Sequence, residues 1–243
     1  MTEVNKTLPL KEIFLKGLTT PFQNITALLR LGIPFIFLMI LLDYLIPHPP
    51  EINFMLYFFI YIIYYLAFVL SVIGCHRVFL LNSEAIQSTP VLRWTKRETK
   101  FLLIFFGFSV IYGITAAISY NLTALLPDNN SIPFSLLMAI LMLPATYCIS
   151  RWSLILPATA IDQPKTLQWA WSISSDHQLR LFVLIGLLPI LTSQIMSYLP
   201  FLPYYLDFVY DLIWLIVAVI EICILSQAYK WIVKLNETTI QSG

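Results

Sequence analysis

Charged residues are scarce in this 243-residue chain. Asp, Glu, Lys and Arg make up 11% of it, whereas an ordinary soluble domain contains roughly 25%. Hydrophobic residues reach 59%, and a single soluble core could not bury that much apolar surface. The composition therefore excludes an ordinary soluble domain and indicates an integral membrane protein.

Cysteine and glycine are also few, with three and seven residues. Cys75, Cys148 and Cys223 form no CxxC pattern and no disulfide framework, so we interpret them as small buried hydrophobic residues. No GxxxG pattern occurs in an apolar segment. Tight helix crossings mediated by glycine are therefore not expected to be the main mode of packing.

Motifs that carry chemistry are missing as well. The sequence has no HExxH, GxSxG, P-loop or GxGxxG pattern. Its three histidines, His48, His76 and His177, have no ligand partner at helical spacing. The basic residues form short groups and not the long stripe that binds nucleic acid. We therefore expect no catalytic residue, cofactor, metal site or nucleic-acid partner.

Long apolar runs predict an all-α, polytopic membrane protein with six transmembrane helices. A bilayer core of about 30 Å needs about 20 helical residues. Four runs without any charged residue reach that length: residues 54–75, 101–127, 129–150 and 181–206. The first span, at residues 25–46, and the sixth, at residues 212–229, each contain charged residues. Proline should bend spans one, four and five, at Pro34, Pro144 and Pro189.

All 14 Lys and Arg residues fall on one side of this six-span threading. They precede or open the first span, lie between the second and third or the fourth and fifth, or follow the sixth. In order they are Lys6, Lys11, Lys16, Arg30, Arg77, Arg93, Lys96, Arg97, Lys100, Arg151, Lys165, Arg180, Lys230 and Lys234. Because basic residues accumulate in cytoplasmic connections, both termini are predicted to be cytoplasmic.

The flanking segments are predicted to be cytoplasmic. In residues 1–24, Leu10, Ile13, Phe14 and Leu18 share one helical face, which indicates an amphipathic helix on the membrane surface. A second interfacial helix is predicted at residues 166–174. Residues 25–230 would form a single six-helix domain, and residues 231–243 a cytoplasmic tail.

Two segments of the chain share a pattern. Arg77 and Arg151 each close an apolar span, and each is followed by a linker that ends on a basic residue before the next outward span. The pattern indicates a possible internal repeat of residues 54–127 and 129–206, parallel and not inverted as in many transporters. Membrane topology alone is the alternative explanation for so weak a similarity.

One stretch resembles a known group of proteins. It comprises Pro144, the run Arg151-Trp-Ser-Leu-Ile-Leu-Pro157-Ala-Thr-Ala-Ile-Asp162, then Leu167-Gln-Trp-Ala-Trp-Ser-Ile-Ser and Gln178-Leu-Arg180-Leu-Phe. This pattern resembles a loose family of bacterial six-helix inner-membrane proteins of unknown function, similar to the membrane domain of glycerophosphodiester phosphodiesterases. The resemblance covers roughly residues 132–191. It implies a location in the bacterial inner membrane but no catalytic residue, because phosphodiesterase chemistry belongs to a separate domain of those enzymes.

Four charged residues are candidates for a functional site. Glu221 lies about 13 Å from Lys230 along its helix, so it is an ionisable group inside the membrane. Arg30 is its expected partner, and the alternatives are a neutral hydrogen-bonded Glu221 or proton or ion coupling. Arg77 and Arg151 lie at the cytoplasmic ends of spans, where they act either as snorkelling anchors or as contacts to lipid phosphate.

These features favour a non-enzymatic membrane protein with a structural, accessory or lipid-interacting role. Its expected partners are membrane lipids, and the sequence points to no protein partner. A small transporter or channel subunit that uses Glu221 and Arg30 is the alternative. An enzyme that handles phosphate on the outer side is disfavoured, because no Lys or Arg lies there to hold an anion.

Overall fold

The computed structural model describes residues 7–45, 54–92, 94–124, 134–197 and 207–242, and every regular element in these ranges is helical. The α-helices in chain order are α1 (Leu10–Gln23), α2 (Ile25–Leu31), α3 (Ile33–Leu45), α4 (Phe54–Leu80), α5 (Ser83–Gln87), α6 (Lys96–Ala124), α7 (Phe134–Trp152), α8 (Ile155–Ala160), α9 (Leu167–Ile173), α10 (Gln178–Leu181), α11 (Leu188–Ser197) and α12 (Asp207–Ser242). A 3-10 turn at Ser175–His177 precedes α10, and π-helical turns at Phe182–Leu187 precede α11.

Among the described residues, five helical stretches are long and apolar enough to cross a membrane, and a bent pair of helices raises the number to six if the pair forms one span. The five are Met55–Leu80, Lys96–Leu122, Leu137–Ala160, Ser175–Met196 and Val209–Thr238. Each overlaps one of the apolar runs predicted for spans two to six. The part of the chain that the structure describes is therefore all-helical in its regular elements, and the chain has the features of a multi-pass membrane protein.

The bent pair occupies the place of the predicted first span. α2 and α3 meet at Gly32 with an angle of 54° between them, so residues 25–46 are not one straight helix. Pro34 lies in the first turn of α3, where its missing N–H costs little, but it cannot continue the hydrogen bonding of α2. The bend packs on α4, where Gly74 lies against the backbone of Leu31.

The best-buried part of the bundle lies where its basic residues meet. Hydrogen bonds that start from Arg30, Arg77, Arg97, Lys100 and Arg180 join different elements at one end of the bundle, which we call the basic end. All six residues of α8 are buried there, packed among α4, α6 and α12. Phe101 of α6 and Ile224 of α12 belong to the same core. This packing fixes the ends of the long helices relative to each other.

The fifth apolar stretch departs from regular α-helix before Pro189. The turns at Phe182–Leu187 are π-helical, and α11 begins at the residue before this proline. Because Pro189 has no N–H to return to the carbonyl four residues earlier, the helix adjusts its hydrogen bonding in the preceding turns. The predicted bend in span five therefore takes the form of a π-helical segment.

Two short helices were predicted outside the long apolar runs, and both are present. α1 lies within residues 1–24 and buries Ile13, Gly17 and Pro21, packing on α12. α9 begins after Thr166, whose side chain accepts a hydrogen bond from the backbone N–H of Trp169 at 3.1 Å. The apolar face of α1 thus contacts protein, and the sequence pattern alone did not distinguish that from a membrane surface.

The predicted tail at residues 231–243 is a continuation of α12. The helix runs without a break from Asp207 to Ser242. Its 36 residues extend about 54 Å at 1.5 Å per residue. Residues 231–242 of the predicted tail are therefore helical.

Candidate functional site

Arg77, in the last turn of α4, is held inside the protein. Its Nη2 donates to Thr89 Oγ1 at 2.9 Å, and its Nη1 donates to the carbonyl oxygen of Ala160 at 3.1 Å. Nη1 also lies 3.5 Å from Oδ2 of Asp162. These bonds tie α4 to the linker after α5 and to the end of α8. Protein acceptors thus take Nη1 and Nη2, while the buried Nε has no hydrogen-bond partner among the described residues. A contact of Arg77 with lipid phosphate stays a prediction.

Arg97 extends this network at the start of α6. Its Nη1 donates to Asp162 Oδ2 and its Nε to Glu98 Oε1, both at 2.8 Å, and its Nη2 also donates to that Glu98 oxygen. The other Glu98 oxygen accepts from the backbone N–H of Thr95 at 2.8 Å and from the Thr95 hydroxyl. Glu98 is only 2% exposed, so four donors satisfy one buried carboxylate.

Thr95 and Glu98 form a capping box that sequence reasoning missed. Thr95 precedes the first residue of α6, and Glu98 stands three positions later and bonds back to the Thr95 N–H. The signal was present as Thr-Lys-Arg-Glu, which matches the S/T-x-x-E pattern of helix N-termini. The box sets the start of α6 at the basic end.

Arg151, in the last turn of α7, is also held internally. Its Nε donates to Ser174 Oγ at 2.9 Å and its Nη2 to the carbonyl oxygen of Trp171 at 2.6 Å. The guanidinium carbon lies 3.6 Å from the centroid of the Trp171 ring, a stacked cation–π contact. Only 4% of Arg151 is exposed. The linker after α7 thus folds back over the arginine, and a contact of Arg151 with lipid phosphate stays a prediction.

The two arginines of the possible repeat have matching surroundings. Arg77 donates to the hydroxyl of Thr89, and Arg151 donates to the hydroxyl of Ser174. Each hydroxyl lies in the linker that follows and itself donates to a carbonyl three or four residues earlier. The correspondence concerns the ends of the two units that lie at the basic end. Residues 125–133, which connect the two units, lie outside the described ranges.

Arg30 and Glu221 do not form the predicted ion pair. Arg30 Nη2 donates to the carbonyl oxygen of Gln87 at 2.9 Å, at the end of α5. Glu221 Oε1 accepts from Thr192 Oγ1 of α11 at 2.8 Å. Similar depth along two helices does not set their rotation, and Arg30 faces the linker after α4. Glu221 does face a neighbouring helix, as predicted, but its partner is a hydroxyl.

A basic groove lies between α1 and α12. Its volume is about 690 Å³, and we call it the α1–α12 groove. It is lined by Thr7, Pro9, Glu12, Ile13, Lys16, Gln227, Lys230, Trp231, Lys234, Leu235 and Thr238. Three lysines and one glutamate therefore give its lining a net charge of +2.

The α1–α12 groove is amphipathic as well as basic. Ile13 and Trp231 form apolar walls, while Lys230 and Lys234 are exposed and lie one helical turn apart on α12. Like charges at this spacing repel each other, and an anion between them would relieve the repulsion. Sequence reasoning missed the site because Lys16 comes from a distant part of the chain.

The two histidines that the structure describes, His76 and His177, are both buried. His76 is buried, with Nδ1 at 2.8 Å from Ser226 Oγ, and His177 packs edge-on against Trp231. His48 lies outside the described residues. In the part of the chain that the structure describes, no three His, Cys, Asp or Glu side chains are placed to hold a metal ion.

Comparisons of the chain with protein-family models, with curated proteins and with solved structures find no match. Function is therefore inferred from the geometry of the described residues.

Proposed function

We propose that this protein is a six-span bacterial inner-membrane protein with a non-enzymatic, lipid-interacting role. In this proposal α2 and α3 form one bent span, both termini are cytoplasmic, and α1 and α9 lie at the cytoplasmic interface. The resemblance of residues 132–191 to bacterial six-helix membrane proteins belongs to the same proposal. The observation that carries it is the α1–α12 groove, which combines three lysines with apolar walls.

The chemistry of the α1–α12 groove suits an anionic phospholipid. A lipid phosphate is a negative group attached to apolar chains, and the groove offers lysines beside Ile13 and Trp231. Anionic lipids attract basic residues near the surface with about 1 kcal/mol per Lys or Arg. The Lys16–Glu12 ion pair is about half exposed on both sides, so it stabilises little by itself and leaves Lys16 able to meet a phosphate.

Replacing Lys230 and Lys234 together by Gln should weaken binding of an anionic phospholipid roughly 30-fold, since two contacts of about 1 kcal/mol are lost. Native mass spectrometry of the detergent-solubilised protein with phosphatidylglycerol and with zwitterionic phosphatidylcholine measures this. The control is Lys11→Gln with Lys96→Gln, two exposed lysines outside the groove. Equal losses in both double variants would contradict a specific site.

Both termini should be cytoplasmic, because all 14 basic residues lie on one side of the threading. A green fluorescent protein joined after Lys234 should fluoresce, and alkaline phosphatase joined there should be inactive. Phosphatase joined at Asp128 should be active. The reverse pattern at either position would overturn the topology.

A small transporter or channel subunit is the second candidate, and Glu221 is the observation that favours it. This carboxyl is half-buried in an apolar helix and meets Thr192 of a neighbouring helix at 2.8 Å. If it couples ions, Glu221→Gln should leave stability nearly unchanged, because Gln still accepts the Thr192 bond, while a pH-dependent flux into proteoliposomes is lost. Flux that survives Glu221→Gln would rule out this candidate. Thr192→Val keeps the carboxyl group and removes its hydrogen bond, so it tests the hydrogen bond alone.

A further inference from the structure

A groove of about 610 Å³ lies on another part of the bundle, along α7. α7 forms its floor, and α6 and the segment that leads from the π-helical turns into α11 form its walls. The floor is a stripe at helical spacing, Met138, Met142, Thr146 and Ser150. From first to last this stripe extends about 18 Å, close to the roughly 15 Å of one bilayer leaflet. We call it the α7 groove.

The α7 groove is polar in places but carries no charge. Its polar lining consists of the hydroxyls of Tyr112, Thr146, Ser150 and Ser193 and the amide of Gln194, and the other side chains are Met, Ile, Ala and Pro. No Asp, Glu, Lys, Arg or His is among the described residues that line it. An ionised ligand would enter without a counter-charge, which is costly in an apolar environment. The groove therefore selects an uncharged ligand.

The two hydroxyls of the floor are arranged as acceptors. Thr146 Oγ1 donates its proton to the carbonyl oxygen of Met142 at 3.0 Å, and Ser150 Oγ donates to that of Tyr147 at 2.8 Å. Both residues are buried. Each hydroxyl has one proton and two lone pairs, so what remains for a ligand is acceptor capacity. A ligand that donates an O–H proton is matched to this floor.

The wall opposite α6 is held close to the floor. At Gly186, in the π-helical turns, an added Cβ would lie 2.9 Å from both Thr146 Cγ2 and the Phe182 ring. Only glycine lets the two helices approach this closely here. π-helical turns inside α-helices occur frequently at functional sites, and this one borders the acceptor pair.

We propose that the α7 groove binds a single alkyl chain whose head group is uncharged and donates a hydrogen bond. The chain lies along Met138 and Met142, and the head hydroxyl donates to Thr146 Oγ1. This site is separate from the α1–α12 groove and takes a different class of ligand, so each proposal can fail without the other.

Three probes with one C18 chain test the proposal: oleyl alcohol, methyl oleate and oleate. Native mass spectrometry of the full chain in detergent should show one bound oleyl alcohol. Methyl oleate, which cannot donate, should bind about fivefold more weakly. Oleate should bind at least about tenfold more weakly, because its charge has no partner in the groove. Equal binding of the three probes would overturn the proposal.

Two variants locate the site. Thr146→Val removes the acceptor at almost constant volume and should weaken oleyl alcohol about fivefold while leaving methyl oleate unchanged. Ala139→Phe fills the groove and should abolish binding of all three probes, whereas Ala117→Phe, on an exposed part of α6, should not. The proposal fails if Thr146→Val weakens alcohol and ester alike, a comparison that holds even if Ala139→Phe does not fold.

Discussion

Glu98→Gln should lower the free energy of unfolding by about 3 kcal/mol, because it removes the buried negative charge that pairs with Arg97. All four contacts of the Glu98 carboxylate come from donors, two from Arg97 and two from Thr95. An amide of the same shape must turn its NH₂ towards one of these pairs, which leaves donors facing donors. Steric-trapping or denaturant-unfolding measurements in detergent micelles give the free energy directly.

Asp162→Asn is the matched control for this change. Asp162 also accepts from Arg97, at 2.8 Å, and lies 3.5 Å from Arg77, but its side chain is 60% exposed. Exposed ion pairs contribute about 0–1 kcal/mol, and Asn tolerates the left-handed φ of 61° at this position. We expect a loss below about 1 kcal/mol. Equal losses at Glu98 and Asp162 would show that burial does not decide the strength of this network.

Gly74→Ala should destabilise the protein by about 1–3 kcal/mol through overpacking. The added Cβ would press on the carbonyl oxygen of Leu31 and lie 2.9 Å from its carbonyl carbon. Both are backbone atoms of α2, so relief requires the bent α2–α3 pair to move away from α4. Thermal unfolding in detergent, together with crosslinking between α2 and α4, measures the loss and the displacement.

Gly107→Ala should have the opposite effect and raise the free energy of unfolding. An added Cβ at Gly107 meets nothing within 4 Å, and Ala stabilises a helix interior by up to about 1 kcal/mol relative to Gly. The two substitutions are chemically identical and differ only in what the methyl group contacts. A neutral Gly74→Ala would contradict the close approach of α2 and α4, and a destabilising Gly107→Ala would contradict the open surroundings of Gly107.

Local sequence patterns were sufficient for the long helices. The runs at residues 54–75 and 101–127 lack charge and proline inside α4 and α6, and both helices follow from that alone. The shape of the first span was harder to predict, because Pro34 indicates a bend but not the bend angle. The 54° angle at Gly32 depends on the packing of the α2 backbone against Gly74, which is a contact between distant parts of the chain.

Side-chain partners were the part that sequence reasoning could not supply. Depth along a helix follows from residue counting, but rotation about the helix axis depends on packing. That is why Glu221 meets Thr192 and not Arg30. Arg151 lies in the last turn of α7, and its partners lie 20 or more positions later in a linker that folds back. The capping box before α6 was the exception, since its signal is local.

The length of α12 gives the protein a mechanical property. About 54 Å of helix against a hydrocarbon layer of about 30 Å leaves some 24 Å outside it. α1 packs on α12, so in the threading proposed above the two helices would move together where α12 leaves the hydrocarbon layer. A change in tilt of about 10°, well inside the range of spanning helices, moves the far end by about 4 Å. Since tilt follows the thickness of the hydrocarbon layer, we expect in that threading that the groove between these helices shifts position when the membrane becomes thinner or thicker.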